Sequence, residues 1–86
     1  MNHDKNIVDL YWRPGCPFCS MLERGLAKQH IAYRKLNIWD DPAHAAFVRS
    51  VAKGNETVPT VSLSGESLVN PSATQVKQLI ERHSNV

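Results

Sequence analysis

Proline breaks helix interiors but suits a first helical turn, where the N–H it lacks would have no partner. In this chain Pro17, Pro42 and Pro71 each stand at the head of a stretch with helical spacing. After Pro17, Phe18, Leu22 and Leu26 recur at i, i+4 and i+8, and Met21 widens the stripe. After Pro42, which follows the capping residue Asp41, the expected inner residues are Ala43, Ala46, Phe47 and Val51, with Gly54-Asn55 ending the helix. After Pro71, which follows Asn70 in the same cap-plus-proline pattern, Val76, Leu79 and Ile80 mark an inner face.

The segments between these helices read as strands. Ile7, Val8, Leu10, Tyr11 and Trp12 form an apolar run suited to a strand buried on both faces, and Pro14-Gly15 stops it. "IAYRKLNI", Ile31 to Ile38, is a second strand. "VPTVSL" and "SLV" flank Ser64-Gly65-Glu66, the signal of an antiparallel hairpin. The order is β-α-β-α-β-β-α: an α/β fold with a mixed four-stranded sheet flanked by three helices. The first strand–helix–strand unit is expected to be parallel and right-handed, with the hairpin at one edge. No repeat or linker interrupts it, so residues 1–86 form a single domain.

Open α/β sheets hold their ligands beyond the carboxyl ends of the strands, near the turn into the first helix. Here that turn is "RPGCPFC", and it contains both cysteines, Cys16 and Cys19. A structural staple is disfavoured. The polar start "MNHDKN" lacks the features of a secretory signal and no apolar run approaches about 20 residues, so a cytoplasmic protein without membrane contact is expected. Disulfides are seldom structural in that compartment, and bridging two intervening residues removes little chain entropy.

A zinc site needs four ligands, yet there is no second cysteine pair, and His3, His30, His44 and His83 are isolated. An iron–sulfur cluster shared between chains is disfavoured by the missing single-cysteine motif and by Pro17 stiffening the loop. No metal and no bound cofactor are expected. The remaining reading is redox chemistry at a C-x-x-C beside a strand–helix–strand unit. A helix N-terminus stabilises a thiolate through its unpaired N–H groups and dipole. Cys16 at the cap is therefore the expected nucleophile, helped by the charge of Arg13, and Cys19, more buried one turn later, resolves or waits. The formal charge of +2 comes with no basic run longer than Arg34-Lys35, so no nucleic-acid partner is expected.

The strand–"CPFC"–helix unit, the later Thr57-Val58-Pro59 and the element order resemble the glutaredoxins of the thioredoxin fold. From Cys16 to Glu81, "IAYRKLNI", "AAFVRSVAKGNETVPTV" and "LVNPSATQV" are similar to the mycoredoxins, actinobacterial glutaredoxin-like proteins that use mycothiol. The resemblance implies that Pro59 is a cis-proline opposite Cys16, and that Val58 offers its backbone N–H and C=O to an incoming disulfide. It also places Arg13, Pro17, Phe18 and Thr57 around the bound thiol. Ordinary glutaredoxins start their last helix with Gly-Gly-x-Asp-Asp. Here Asn70-Pro71 replaces the glycines, and Ala73 and Thr74 stand about where the acids would be. Asn70, Ser72 and Thr74 offer neutral polar groups that suit a sugar–inositol thiol. Read without the resemblance, Asn70 is a helix cap and Ser72 and Thr74 are solvated.

The expected activity is reduction of protein–mycothiol mixed disulfides by a monomer, with mycothiol as co-substrate and those proteins as partners. The alternatives are a glutathione-using glutaredoxin and a dithiol hydrogen donor of the ribonucleotide-reductase redoxin type. The donor's Val-Gln between the cysteines and its aromatic-basic C-terminal motif are missing. Outside enzymes, the alternative is a metal or interaction module. Trp12, Tyr11, Tyr33 and Phe47 read as packing, Trp39 as a loop aromatic without a role, and Lys53 and Asn55 as a solvated loop.

Overall fold

In β1 (Val8–Trp12) alternate side chains serve two different cores, because successive strand residues point to opposite faces. The computed structural model describes residues 7–84, with four strands and three helices among them; His3 lies outside the described residues. Val8 and Leu10 are fully buried against α1 (Pro17–Lys28), α3 (Ala73–Ser84) and β3 (Thr60–Leu63), in a cluster with Leu22, Leu26, Val61 and Leu79. Tyr11 points to the opposite face, where α2 (Pro42–Val51) supplies Ala45 and Val48. The expected strand buried on both faces is present, and it is central.

β1 pairs in parallel with β2 (Tyr33–Asn37), Val8 opposite Tyr33 and Trp12 opposite Asn37. On its other side β1 pairs antiparallel with β3, Leu10 opposite Val61. β3 then turns into β4 (Glu66–Val69), giving the order β2-β1-β3-β4. Ser64 and Gly65 both have positive φ, 51° and 85°, as a two-residue turn of the type favoured in hairpins requires. Glu66 is already paired with Leu63, so the turn is one residue shorter than the sequence signal suggested.

Four boundaries or faces differ from expectation, each for a physical reason. On α1 the buried stripe is Cys19, Leu22 and Leu26, while Phe18 and Met21 are 61% and 57% exposed. The first turn of α1 stands at the end of the sheet, so only the side facing β1 is covered there. On α2, Ala45 and Val48 are buried, as is Ala52 just past its end; Ala43 and Ala46 are exposed. Three alanines in four residues, Ala43, Ala45 and Ala46, leave the phase of a helical stripe open in the sequence. It is set by Phe47 stacking on Tyr11, ring centroids 4.8 Å apart, a contact worth about 0.5–1.5 kcal/mol beyond its buried area.

The second strand is shorter than Ile31 to Ile38. Ile31 donates to the Leu26 carbonyl in closing α1, and Ile38 turns into the α2-side core. Finally, Asn70 does not cap α3. Ser72 does, in a capping box: its Oγ accepts from the Gln75 N–H at 3.1 Å, and Gln75 Oε1 accepts from the Ser72 N–H at 2.8 Å. Asn70 instead takes a left-handed conformation, φ 53°, and donates its N–H to the Pro59 carbonyl at 2.8 Å. No described helix is long and apolar enough to cross a membrane.

Candidate redox site

The chain leaves β1 at Trp12, turns through Gly15 at φ 75°, and enters α1 with Cys16 as its N-cap. Cys16 is extended, φ −109° and ψ 101°, and its sulfur accepts the Cys19 N–H at 3.1 Å. Serine or aspartate usually fills that place with oxygen; here sulfur does. Pro17 is the first helical residue, and the first turn has no acidic residue to oppose a negative sulfur. Cys16 is half-buried, whereas Cys19 is 2% exposed. The two are joined as a disulfide with Cα atoms 5.3 Å apart, so the structure represents the oxidised state.

The Thr57-Val58-Pro59 loop faces this cap from across the sheet end. The Val58–Pro59 peptide bond is cis, and the Val58 carbonyl oxygen lies 3.8 Å from Cys16 Sγ. The loop is tied at both ends. Thr60 Oγ1, fully buried, donates to the Thr57 carbonyl at 2.7 Å, and Asn70 holds the Pro59 carbonyl. The backbone juxtaposition implied by the resemblance is therefore present.

Two clefts flank the start of α1, and the cysteines line only the second. One, about 220 Å³, is lined by Phe18, Met21, Asn70, Pro71 and Ser72 among others. It unites Phe18 with Asn70 and Ser72 but leaves out Thr74, which is exposed on α3. Ala73 turns toward α1 and packs on the first core, so it is not a free position for a larger polar group. The Ser72 hydroxyl already accepts the Gln75 N–H, which leaves its O–H to donate.

The second cleft, about 330 Å³, contains residues that sequence reasoning did not assign. Cys16 and Cys19 both line it, together with Arg13, Ser20, Glu23, Arg24 and Lys35. Lys35 lies 4.1 Å from the centre of the Trp12 ring and 3.4 Å from Glu23 Oε1. Tyr33 donates its hydroxyl to the same carboxylate at 3.1 Å. Burial, then the hydrogen bond to Glu23, raises the Tyr33 hydroxyl above its ordinary value of 10.0, so it stays a donor. Glu23 was visible as the residue four after Cys19; Lys35 needed the strand register. Arg13 stacks at 5.9 Å over Trp39, which gives that loop aromatic a contact beside the site.

Elsewhere the histidines scatter: His44 meets the edge of Tyr11, His83 meets Glu66, and His30 is exposed. Among the described residues no three histidine, cysteine or acidic side chains gather as a metal site. Lys53 and Asn55 are exposed, and the Asn55 amide donates to the Ala52 carbonyl at the end of α2.

A family profile described as glutaredoxin matches residues 8–68. A Mycobacterium tuberculosis protein (strain H37Rv) named as a putative glutaredoxin is 44% identical over 71 residues, covering 81% of this chain and 84% of that protein. Mycoredoxin 1 of Corynebacterium glutamicum is 37% identical over 75 residues, covering 86% of this chain and 92% of the relative. Among solved structures, the glutaredoxin-like NrdH-redoxin from Escherichia coli superposes with a TM-score of 0.71 at 20% identity, over 85% of this chain and 93% of that one. The thioredoxin-like protein BC3987 superposes with a TM-score of 0.70 at 24% identity, covering 84% and 97%.

Proposed function

The chain belongs to the glutaredoxin family of thiol–disulfide oxidoreductases, and from that premise we propose that it reduces mixed disulfides between proteins and mycothiol, with Cys16 as the attacking sulfur. The observation that carries this reading is the setting of Cys16 Sγ. It sits at a helix cap with an N–H at 3.1 Å and the Val58 carbonyl at 3.8 Å, half-open to solvent, while Cys19 is covered. The Cys19 N–H already aimed at the sulfur stabilises it as attacking thiolate and again as leaving thiolate, without reorganisation, while the Val58 carbonyl, an acceptor, marks where the facing loop approaches.

In this reading the Cys16 thiolate attacks the mycothiol sulfur of the mixed disulfide. The S–S bond to the protein breaks, and the released protein thiolate takes a proton from solvent. A second mycothiol thiolate attacks the sulfur of the mycothiol bound on Cys16. Mycothiol disulfide leaves, and Cys16 returns as thiolate to the N–H of Cys19. A separate NADPH-dependent reductase would recycle the disulfide, so the chain needs no bound cofactor. Val58 would pair its backbone with the incoming chain, and Arg13, Pro17, Phe18 and Thr57 would border the thiol. The expected setting is the cytoplasm, with the protein acting as a monomer.

Mycothiol is favoured over glutathione by its resemblance to Mycoredoxin 1 and by the start of α3. That start is Ser72-Ala73-Thr74, with no carboxylate to pair glutathione's ammonium group. Leaving one such group unmatched costs roughly 1–3 kcal/mol, or about tenfold in rate for 1.4 kcal/mol. The test is turnover of a mycothiol mixed disulfide against its glutathione counterpart, each with its own recycling system. At least about tenfold in favour of mycothiol is expected; comparable rates would return the chain to the general glutaredoxins. The bonded Cys16–Cys19 pair favours a second reading, a dithiol route.

A further inference from the structure

On the reading proposed above Cys16 completes the mixed-disulfide cycle alone, so the Cys19 thiol and Glu23, which share the cleft beside it, are not used by that chemistry. Cys19 is covered everywhere except where it borders this cleft, and a covered thiol reacts only after losing its proton. Cys19 and Glu23 are four apart on α1, so their β-carbons stand about 5–6 Å apart on one face. Glu23 is held from the far side by the Lys35 ammonium at 3.4 Å and the Tyr33 hydroxyl at 3.1 Å. Both partners keep the carboxyl group against the β2 side of the cleft. A carboxylate within reach of a thiol, directly or through one solvent molecule, meets the geometric requirement of a general base.

We propose that Glu23, positioned by Lys35 and Tyr33, accepts the proton of Cys19 through the cleft the two share, and so drives the attack of Cys19 on a mixed disulfide held at Cys16. In that step the Cys19 S–H proton passes to the Glu23 carboxylate, and the Cys19 thiolate bonds to Cys16 Sγ. The bond from Cys16 to the partner sulfur breaks, and the partner leaves as thiolate. Glu23 then returns its proton to that thiolate or to solvent. The partner disulfide is reduced, and the two cysteines are oxidised to the bridge present here. In reverse, the protonated Glu23 supplies the proton when an external thiol opens the bridge and Cys19 departs. The charged or titratable groups around Glu23 are Cys19 and Arg24 from α1, Tyr33 and Lys35 from β2, and Arg13 from the preceding turn.

The test uses the reduced full-length protein and Ellman's reagent in a stopped-flow instrument. The first equivalent of nitrothiobenzoate reports attack by Cys16, the second its displacement by Cys19. In Glu23→Gln, which keeps the shape and an acceptor for Tyr33, the ratio of second-phase to first-phase rate should fall about tenfold at pH 7. A ratio within twofold of the parent overturns the proposal, whether or not both rates drop, because a merely structural role slows the phases together. Lys35→Met gives an independent reading. Losing that charge should move the midpoint of the second phase to higher pH by more than the first; an equal or absent displacement overturns the assignment.

Discussion

A β-carbon built on Gly25 of α1 would stand 2.8 Å from the β-carbon of Ala73 on α3. The two helices meet there on the same face of the sheet, and the missing side chain allows their close approach. This contact decides what each position tolerates.

Gly25→Ala should destabilise the protein. Alanine favours a helix interior over glycine by about 1 kcal/mol. Overpacking a close contact typically costs about 1–3 kcal/mol, and Ala73 Cβ has no torsion with which to move aside. The expected net loss of about 1 kcal/mol corresponds to a fall in Tm of roughly 4–8 °C for a domain of this size. A variant as stable as the parent in thermal and denaturant melts would show that the helices are free to separate.

The same contact limits an acidic graft onto α3. Ala73→Asp would drive a carboxylate into α1 and is expected to lower stability. Thr74 is exposed and accepts the change. Thr74→Asp should therefore raise glutathione mixed-disulfide turnover relative to mycothiol while leaving the melting temperature within a few degrees. An unchanged ratio would place thiol selectivity away from α3.

The two cysteines should separate in alkylation as well as in catalysis. In the reduced protein at pH 7, Cys16 is expected to react with iodoacetamide at least about tenfold faster than Cys19, given its helix-cap N–H and partial exposure. Cys16→Ser should abolish mixed-disulfide reduction, whereas Cys19→Ser should retain a substantial part. Equal loss in both variants would make a dithiol route obligatory.

Glu66 ties the hairpin to the end of α3. Its carboxyl is held below the ordinary value of 4.5, first by the hydrogen bond from His83 and then by that from Arg82. A depressed folded-state value means the group stabilises the fold above about pH 4.5 and loses that effect as pH falls through the depressed value. Glu66→Gln should thus melt below the parent at pH 6, with the difference closing below pH 4. A gap that stays constant down to pH 3 would show that ionisation is not its source.

Much of this architecture was legible because proline, glycine and strand-like runs punctuate the chain. The central strand, the cysteine cap and the hairpin follow from residues next to one another. What was not legible depends on contacts between distant segments. Phe18 reads as a core residue until the sheet is seen to end beneath it. The phase of α2 depends on Tyr11, more than thirty residues away in sequence. Asn70 carries a cap signature, yet its N–H is drawn to the Pro59 carbonyl, which leaves Ser72 to cap. Lys35 approaches Glu23 only because β2 lies parallel to β1 in a specific register.

The sheet ends in two outer strands, β2 and β4, whose far sides have no strand partner among the described residues. Unpaired strand rims are templates on which a second chain can extend a sheet, the first step toward aggregation. On β2 the edge strand carries Arg34 and Lys35 in succession, one on each face, and on the other side β4 is only four residues long and begins with Glu66. Lys35 thus does a second job: besides facing Glu23, it helps guard an open border of the sheet.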